Sequence, residues 1–391
     1  MANSWTLISH PDFNMKQWNY TNTDEKIDGT GGKRHPRYGM RRLHGGLSEG
    51  IDVITIDNGL LSMEVLPTRG CGIQRVQCED VKLEWCPFES PVHPSFVPIS
   101  DPSGTGWLEG FTEWLVRCGL ESNGAPEFDE KGKLIYPLHG RIANIPASYV
   151  SLHEEEFGQK EILLKGKMFE QKFFTKNLTL ESHLITHFHS TKFTVRDVVT
   201  NLSAEPTEFE LLYHINTGQP FASTGGYVVV PFDRLAPQND IAVENLSEWD
   251  KLGQEIKGSK EVVFYFEPAV DSNGICKVML VNAKGDRAIV LSFRRDSLPY
   301  FAFWKSRLHR SDGYVCGLEP TINFPNVRSF EKQHGRVAKL EPSESRTFEL
   351  NFEILLDTET VQKTEAEIRN LTAIKKIEPK PIKEWSPLKL L

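Results

Sequence analysis

The sequence lacks the features that mark membrane-spanning, disulfide-linked and zinc-binding proteins. No apolar run approaches the ~20 residues that a membrane helix needs, and the first residues lack a charged segment followed by an apolar one. The six cysteines contain no CxxC pair or other zinc spacing. We therefore expect a cytoplasmic protein with reduced thiols, without a membrane partner, a metal or another cofactor.

A surplus of positive charge is also absent. The chain has 45 Lys and Arg against 53 Asp and Glu, which gives a formal net charge of −8. Binding to phosphates of nucleic acid needs clustered cations, so this balance argues against a nucleic-acid partner. With 391 residues, 39% of them hydrophobic, the chain has enough material for one large domain or two ordinary ones.

Short runs rich in β-branched and aromatic residues fill most of the chain. The first two, 51–56 and 60–66, are joined by the turn sequence Asp57-Asn58-Gly59. The later runs are 162–170, 178–188, 193–199, 209–215, 262–266, 277–281, 288–293 and 348–355. Because turn signals separate these runs and helices do not alternate with strands, we predict an all-β fold. Its form would be a large, twisted antiparallel β-sandwich with few short helices.

The ends of the chain differ from this pattern. Residues 1–48 show no sustained periodicity and predict an irregular N-terminal lead-in, so the sandwich would be a single domain over 49–357. Residues 358–391 predict a helix followed by an extended, Lys- and Pro-rich tail. The helix would run from Thr360 to about Leu371, with its cap at Asp357-Thr358.

Polar residues at strand ends are the candidates for chemistry. Glu319 follows an apolar run and precedes a proline, where a buried strand would open into a loop. His214 and Asn216 end another apolar run, and period-two geometry places them on one face. A single buried histidine is more often structural than catalytic, so the case rests on these residues together.

The long aperiodic segment 91–147 is a second candidate region. It contains Trp107, Arg117 and the sequence Leu138-His139-Gly140-Arg141, and a segment of this length without regular pattern is usually a functional loop system. The histidines at 183, 187 and 189 share parity and could suggest a metal face. A partly exposed sheet face explains these three equally well, and no metal is predicted.

These motifs together resemble the aldose 1-epimerase (galactose mutarotase) superfamily, and within it a branch of bacterial, largely uncharacterised epimerase-like proteins. The resemblance runs from about Gly46 to Leu356. The matching pieces are 65–70 (Val-Leu-Pro-Thr-Arg-Gly), 138–140 (Leu-His-Gly), 213–216 (Tyr-His-Ile-Asn), 318–319 (Leu-Glu) and 340–344 (Leu-Glu-Pro-Ser-Glu).

The resemblance implies a galactose mutarotase-like supersandwich and a metal-free isomerase acting on a free or modified sugar. In that family a glutamate takes the proton of the anomeric hydroxyl and a histidine protonates the ring oxygen. Glu319 matches the base and His214 is the candidate for the acid. His139 matches the histidine of the family's His-Gly motif, a substrate-positioning partner.

The same resemblance suggests which residues bind the sugar. Arg117 looks like the family's sugar-binding arginine, and Glu261 resembles the position of an acid that binds sugar hydroxyls. Further substrate-binding candidates are Arg69, Arg141, Asn216 and Trp107.

Two positions depart from the family pattern. His214 lies two residues before Asn216 instead of four, and Thr321 stands where a glutamine is usual. The acid role therefore stays open between His214 and His139. A carbohydrate-binding protein that keeps the fold without catalysis is the alternative function, and assembly into an oligomer is left open.

Overall fold

The computed structural model describes residues 3–10, 13–22, 34–87, 91–157, 159–371 and 375–387. Within these ranges the chain forms 26 strands and three α-helices. The strands are β1 (Asn3–Ser9), β2 (Phe13–Asn14), β3 (Trp18–Thr21), β4 (Arg37–Arg42), β5 (Asp52–Asp57), β6 (Leu61–Leu66), β7 (Gly72–Cys78), β8 (Val81–Lys82), β9 (Leu115–Leu120), β10 (Glu127–Phe128), β11 (Leu134–Tyr136), β12 (Tyr149–Phe157), β13 (Gln159–Lys172), β14 (Lys176–His187), β15 (Lys192–Asn201), β16 (Thr207–Gly218), β17 (Tyr227–Val229), β18 (Phe232–Pro237), β19 (Val262–Pro268), β20 (Ile275–Val281), β21 (Ala288–Arg294), β22 (Tyr300–Arg307), β23 (Tyr314–Thr321), β24 (Ala338–Leu340), β25 (Ser345–Leu355) and β26 (Lys376–Ile377). The helices are α1 (Asp240–Glu244), α2 (Arg328–Gln333) and α3 (Thr358–Asn370).

Two large sheets make up the molecule. One has ten strands in the order β17-β20-β21-β25-β15-β14-β13-β12-β1-β2. The other has 14 strands, with β19-β22-β23-β16-β9-β7 running through its middle. A single apolar cluster contains residues of both sheets, and Trp114 from the second sheet packs its ring 5.2 Å from that of Phe352 in the first. The two sheets therefore pack face to face, which confirms the predicted all-β sandwich.

Alternation along the central strands decides which side chains face the core. In β16, Leu211, Tyr213 and Ile215 belong to the apolar cluster between the sheets. The residues that alternate with them, including His214 and Asn216, point to the opposite face of the 14-stranded sheet. The candidate site thus lies outside the sandwich core, on a face covered by segments from 91–147.

The prediction of an irregular lead-in over residues 1–48 is wrong for the described part. β1 pairs antiparallel with β12 in one sheet, while β3 and β4 extend the other. These strands are short and mostly polar, so no sustained alternation marks them in the sequence. Aromatic residues hold them in place, with Trp5 and Tyr20 rings 4.7 Å apart. Residues 1–2, 11–12 and 23–33 of this segment lie outside the described residues.

The C-terminal helix is confirmed and the tail differs from its prediction. Asp357 caps α3 by accepting a hydrogen bond from the backbone of Thr360 at 2.8 Å. The following β26 pairs in parallel with β18, and Trp385 is buried against Phe324 with ring centroids 5.1 Å apart. One tryptophan among lysines and prolines thus docks the segment on the 14-stranded sheet. Among the described residues, no helix is long and apolar enough to span a membrane.

Candidate active site

The register between two neighbouring strands brings the principal candidates together. β16 and β23 are antiparallel, and the register that pairs Leu212 with Thr321 and Asn216 with Gly317 sets His214 directly opposite Glu319. Nε2 of His214 lies 3.1 Å from Oε1 of Glu319. Both residues are almost completely buried, at 5% and 2% exposure. An imidazole and a carboxyl group therefore meet in a position with little solvent.

A glycine beside the pair makes this contact sterically feasible. A Cβ atom at Gly317 would lie 2.6 Å from Oε1 of Glu319 and 3.0 Å from Cε1 of His214. Both distances are shorter than ordinary nonbonded contacts, and the neighbours are buried. Any side chain at Gly317 would therefore push the two groups apart.

Asn216 holds the ring of His214 through a hydrogen bond. Its Oδ1 accepts the hydrogen bond of His214 Nδ1, and its Nδ2 donates to the backbone oxygens of Glu113, at 3.0 Å, and His214, at 3.2 Å. The residue has no exposed surface. Its amide is thus occupied within the protein, which differs from the predicted substrate-binding role.

His139 reaches the same place from the loop after β11. Its backbone has a left-handed φ of 56°, and Nδ1 donates to the backbone oxygen of Asn123 at 2.8 Å. The backbone N–H of Asn123 is held in turn by Glu210 Oε2 at 3.0 Å. The His139 ring lies 5.5 Å from that of His214. Non-glycine residues held at positive φ often occur at functional sites, which agrees with a role here.

Aromatic rings enclose the pair. Phe111 lies 5.3 Å and Trp304 5.4 Å from the His214 ring, while Trp107 lies 4.6 Å from that of His139. Phe111 and Trp304 are partly exposed and form the outer side of the enclosure. The exposed Glu261 accepts a hydrogen bond from Trp304 Nε1 at 2.8 Å. The enclosure offers flat apolar surfaces and one carboxylate at its rim.

Burial controls the protonation of the three titratable groups. Burial, together with the nearby Glu261 carboxylate, raises the pKa of Glu319 well above its usual range. Burial and the neighbouring His139 lower the pKa of His214 to about 3, although the bond to Asn216 opposes this shift. Burial also lowers the pKa of His139 to about 4. Burial therefore favours the uncharged form of all three groups.

Two predicted sugar-binding arginines lie elsewhere. Arg117 sits opposite Tyr213 across β9 and β16, so it points into the core, where it makes a bidentate ion pair with Asp197. Arg69 is 1% exposed and binds Glu113 through two nitrogens. Both guanidinium groups form hydrogen bonds with buried carboxylates inside the protein. These positions correct the prediction that they contact a substrate.

Arg69 nevertheless has a structural link to the site. It donates to the backbone oxygens of Val92 and Gly110 and to the side-chain oxygen of Asn144. These bonds tie together the segments that carry Trp107 and Phe111. Arg69 therefore fixes the positions of the segments that form the aromatic enclosure.

Two further predicted features have local roles. Arg141 Nε lies 3.7 Å from Glu121, beside the turn that carries His139, and it is partly exposed. His183 is 2.9 Å from Glu181 on the outer face of the ten-stranded sheet. In the part of the chain that the structure describes, no group of three or more His, Cys, Asp or Glu is arranged to hold a metal ion.

Sequence reasoning missed several residues that shape the site. Gly317 and Glu113 gave no local signal, because their importance depends on contacts across strands. Phe111 belongs to the aromatic segment that was recognised, but it could not be told from its neighbours. Asn123 precedes a glycine in a turn-like sequence, which was its one available signal.

Solved structures resemble this chain along most of its length. A protein of Klebsiella pneumoniae, provisionally named an aldose 1-epimerase, matches with a TM-score of 0.92 and 29% identity, covering 98% of this chain and 99% of that one. A galactose mutarotase-like protein of Clostridium acetobutylicum matches with a TM-score of 0.54 and 16% identity, over 87% of this chain and 99% of that one. An Escherichia coli protein, also provisionally named an aldose 1-epimerase, has a TM-score of 0.51 and 15% identity, covering 78% and 100%.

These likenesses establish the fold as galactose mutarotase-like, as the sequence motifs predicted. The two at or below 16% identity support the fold alone. No curated protein matches the chain. A family model matches residues 48–354, which is more than half of the chain. The chain therefore belongs to the family described as "Domain of unknown function (DUF4432)".

Proposed function

We propose that this protein is an aldose 1-epimerase-like isomerase that interconverts the anomers of a free or modified sugar. The observation that carries the proposal is the contact of 3.1 Å between His214 Nε2 and Glu319 Oε1. Two acid–base groups so close, buried and surrounded by rings, suit a reaction that moves two protons at neighbouring atoms. The K. pneumoniae structure supports the same class of reaction through its provisional name.

The spacing of the pair fits ring opening of a sugar. The anomeric hydroxyl oxygen and the ring oxygen are bonded to the same carbon, so they can face two adjacent protein groups at once. Glu319 accepts the proton of the anomeric hydroxyl while His214 donates a proton to the ring oxygen. The bond between the anomeric carbon and the ring oxygen breaks, rotation follows, and reclosure gives either anomer.

The surrounding residues have supporting roles in this scheme. Nδ1 of His139 bonds Asn123, and its Nε2, which has no partner among the described residues, can accept a hydrogen bond from a sugar hydroxyl. Trp304 and Phe111 provide flat surfaces against which the apolar face of a sugar ring can pack. Glu261 at the rim can accept further hydroxyl hydrogen bonds.

A non-catalytic carbohydrate-binding protein is the second candidate. The burial of His214 and Glu319, 5% and 2% exposed, favours it, because a reaction needs contact of the sugar with two groups that expose almost no surface. Such a protein would bind a sugar without changing the rate of anomer exchange.

The proposal is tested by polarimetry on freshly dissolved single anomers of free and phosphorylated aldoses. We expect the wild-type protein to accelerate mutarotation of at least one sugar, and Glu319→Gln to lose about 100-fold or more of that acceleration. Glu349→Gln, a partly exposed acid on the other sheet, is the matched control. A sugar that raises the melting temperature but is not turned over would support the binding protein instead.

A further inference from the structure

The side-chain amide of Asn216 has only one workable orientation. Its Nδ2 faces the backbone oxygens of Glu113 and His214, which can only accept hydrogen bonds. Exchanging the nitrogen and the oxygen would place Oδ1 against both of these acceptors, where it could make no hydrogen bond. The bonding network therefore fixes Oδ1 toward the ring of His214.

This orientation determines the tautomer of His214. Since Oδ1 of Asn216 can only accept, Nδ1 of His214 must be the protonated nitrogen. In the neutral ring, Nε2 then has a lone pair, and it faces Oε1 of Glu319 at 3.1 Å. Among the described residues, Oε1 of Glu319 has no aligned hydrogen-bond donor, so the 3.1 Å contact brings two lone pairs face to face. A proton on either atom would turn this repulsive contact into a hydrogen bond.

We propose that Asn216 is a positioning residue that holds His214 as the Nδ1–H tautomer, so that His214 Nε2 and Glu319 Oε1 share a single proton and act as one acid–base unit. The inference rests on the proposed epimerase function and deepens it. It also assigns Asn216 a role through His214 instead of a contact with substrate.

The proton count of the unit is conserved through the reaction. In the resting state the proton lies on Glu319. Its transfer to Nε2 gives a carboxylate and an imidazolium without changing the total charge. The carboxylate takes the proton of the anomeric hydroxyl, the C=O bond forms, the bond to the ring oxygen breaks, and Nε2–H protonates that oxygen. Glu319 is again protonated and His214 again neutral, ready for reclosure.

Other titratable groups near the unit do not supply this proton. His139 faces His214 with its Nδ1 bound to Asn123, so its Nε2 is also an acceptor in the neutral ring. Cys118, on the same face of β9, is buried, and burial raises the pKa of its thiol well above the usual range. Glu261 bonds Trp304 at the rim, and Glu113 bonds Arg69 on the far side. The proton must come from the pair itself.

The direct test is ¹⁵N NMR of the full-length protein labelled at histidine, with the His214 signals identified by their loss in His214→Gln. We expect wild-type His214 near neutral pH to show a protonated Nδ1 and an unprotonated Nε2. In Asn216→Leu the tautomer should shift toward Nε2–H. A protonated Nε2 and unprotonated Nδ1 in the wild type, or an unchanged tautomer in Asn216→Leu, would overturn the proposal.

A second variant covers the case in which Asn216→Leu does not fold. Asn216→Asp keeps an acceptor at Nδ1 and adds a negative charge, so it should stabilise the imidazolium and move the acid limb of the kcat profile to higher pH. An unchanged pH profile of kcat, together with a His214 ring that stays neutral, would contradict the proposal that Asn216 holds the tautomer of His214. The control is Asn201→Leu on the other sheet, a buried amide whose Nδ2 also donates to backbone oxygens. This change should lower stability without moving the tautomer.

Kinetics separate positioning from substrate binding. Because Asn216 has no free hydrogen-bonding group, Asn216→Leu should lower kcat at least about 10-fold with KM nearly unchanged. A rise in KM with kcat preserved would return Asn216 to the substrate-binding role. Failure of the epimerase function is distinguishable, since the tautomer can be measured even if no sugar is turned over.

Discussion

Removing the buried guanidinium of Arg69 should destabilise the protein strongly. Arg69→Met leaves the carboxylate of Glu113 buried without its cation, and breaking such a pair costs about 3–5 kcal/mol. Three further acceptors, on Val92, Gly110 and Asn144, also lose a charged donor. We therefore expect the free energy of unfolding, measured by urea denaturation at neutral pH, to fall by about 4 kcal/mol or more.

A surface ion pair provides the matched control. Arg41 and Glu64 lie 2.8 Å apart with 47% and 20% of their side chains exposed, so Arg41→Met should cost less than about 1 kcal/mol. Adding Glu113→Gln to Arg69→Met should cost little more, because it removes the uncompensated charge. If Arg69→Met lost no more stability than Arg41→Met, the structural role given to Arg69 would be refuted.

Three further changes test separate parts of the molecule. Trp385→Ala should lower the free energy of unfolding by about 3–5 kcal/mol, since Trp385 is buried against Phe324; a change below 1 kcal/mol in urea denaturation would contradict the docked tail. Gly317→Ala should abolish catalysed mutarotation in a folded protein, because its Cβ would meet Glu319 Oε1 at 2.6 Å; full activity would contradict the geometry of the pair. Burial raises the pKa of Glu210 from an ordinary 4.5 to about 8, so the folded chain retains a proton that the unfolded chain releases within that window. The free energy of unfolding should therefore fall as pH rises from about 4.5 to about 8 and level off at higher pH. Urea denaturation at several pH values measures this decline, and Glu210→Gln should flatten it.

The sequence was most informative where the signal is local. Period-two geometry placed His214 and Asn216 on one face of a strand, and the structure confirms that face. The β-rich runs predicted from residue 162 onward correspond to β13–β16, β19–β21 and β25, whereas other strands, including β18 and β22, were not predicted. The cap at Asp357 marked the start of the last helix, because a capping side chain bonds only a few residues away.

Features that depend on contacts between distant strands could not be predicted. β9 is buried along its whole length, so Arg117 lies in a run without alternation. The face of the sheet to which its side chain points therefore could not be predicted from the pattern. The pairing of His214 with Glu319 depends on a register between strands about 100 residues apart. The role of Gly317 follows from that register alone. Trp385 lies in a polar tail whose composition concealed its burial.

The central claim is that Glu319 and His214 form a catalytic acid–base pair, and anomer exchange measured by NMR saturation transfer tests it most directly. One anomeric signal of the sugar identified by polarimetry is saturated, and the loss of intensity at the other gives the exchange rate. We predict that wild-type protein raises this rate above that in buffer and that Glu319→Gln and His214→Gln each reduce the increase by about 100-fold or more. Exchange at the wild-type rate in Glu319→Gln, with the variant folded, would contradict the account.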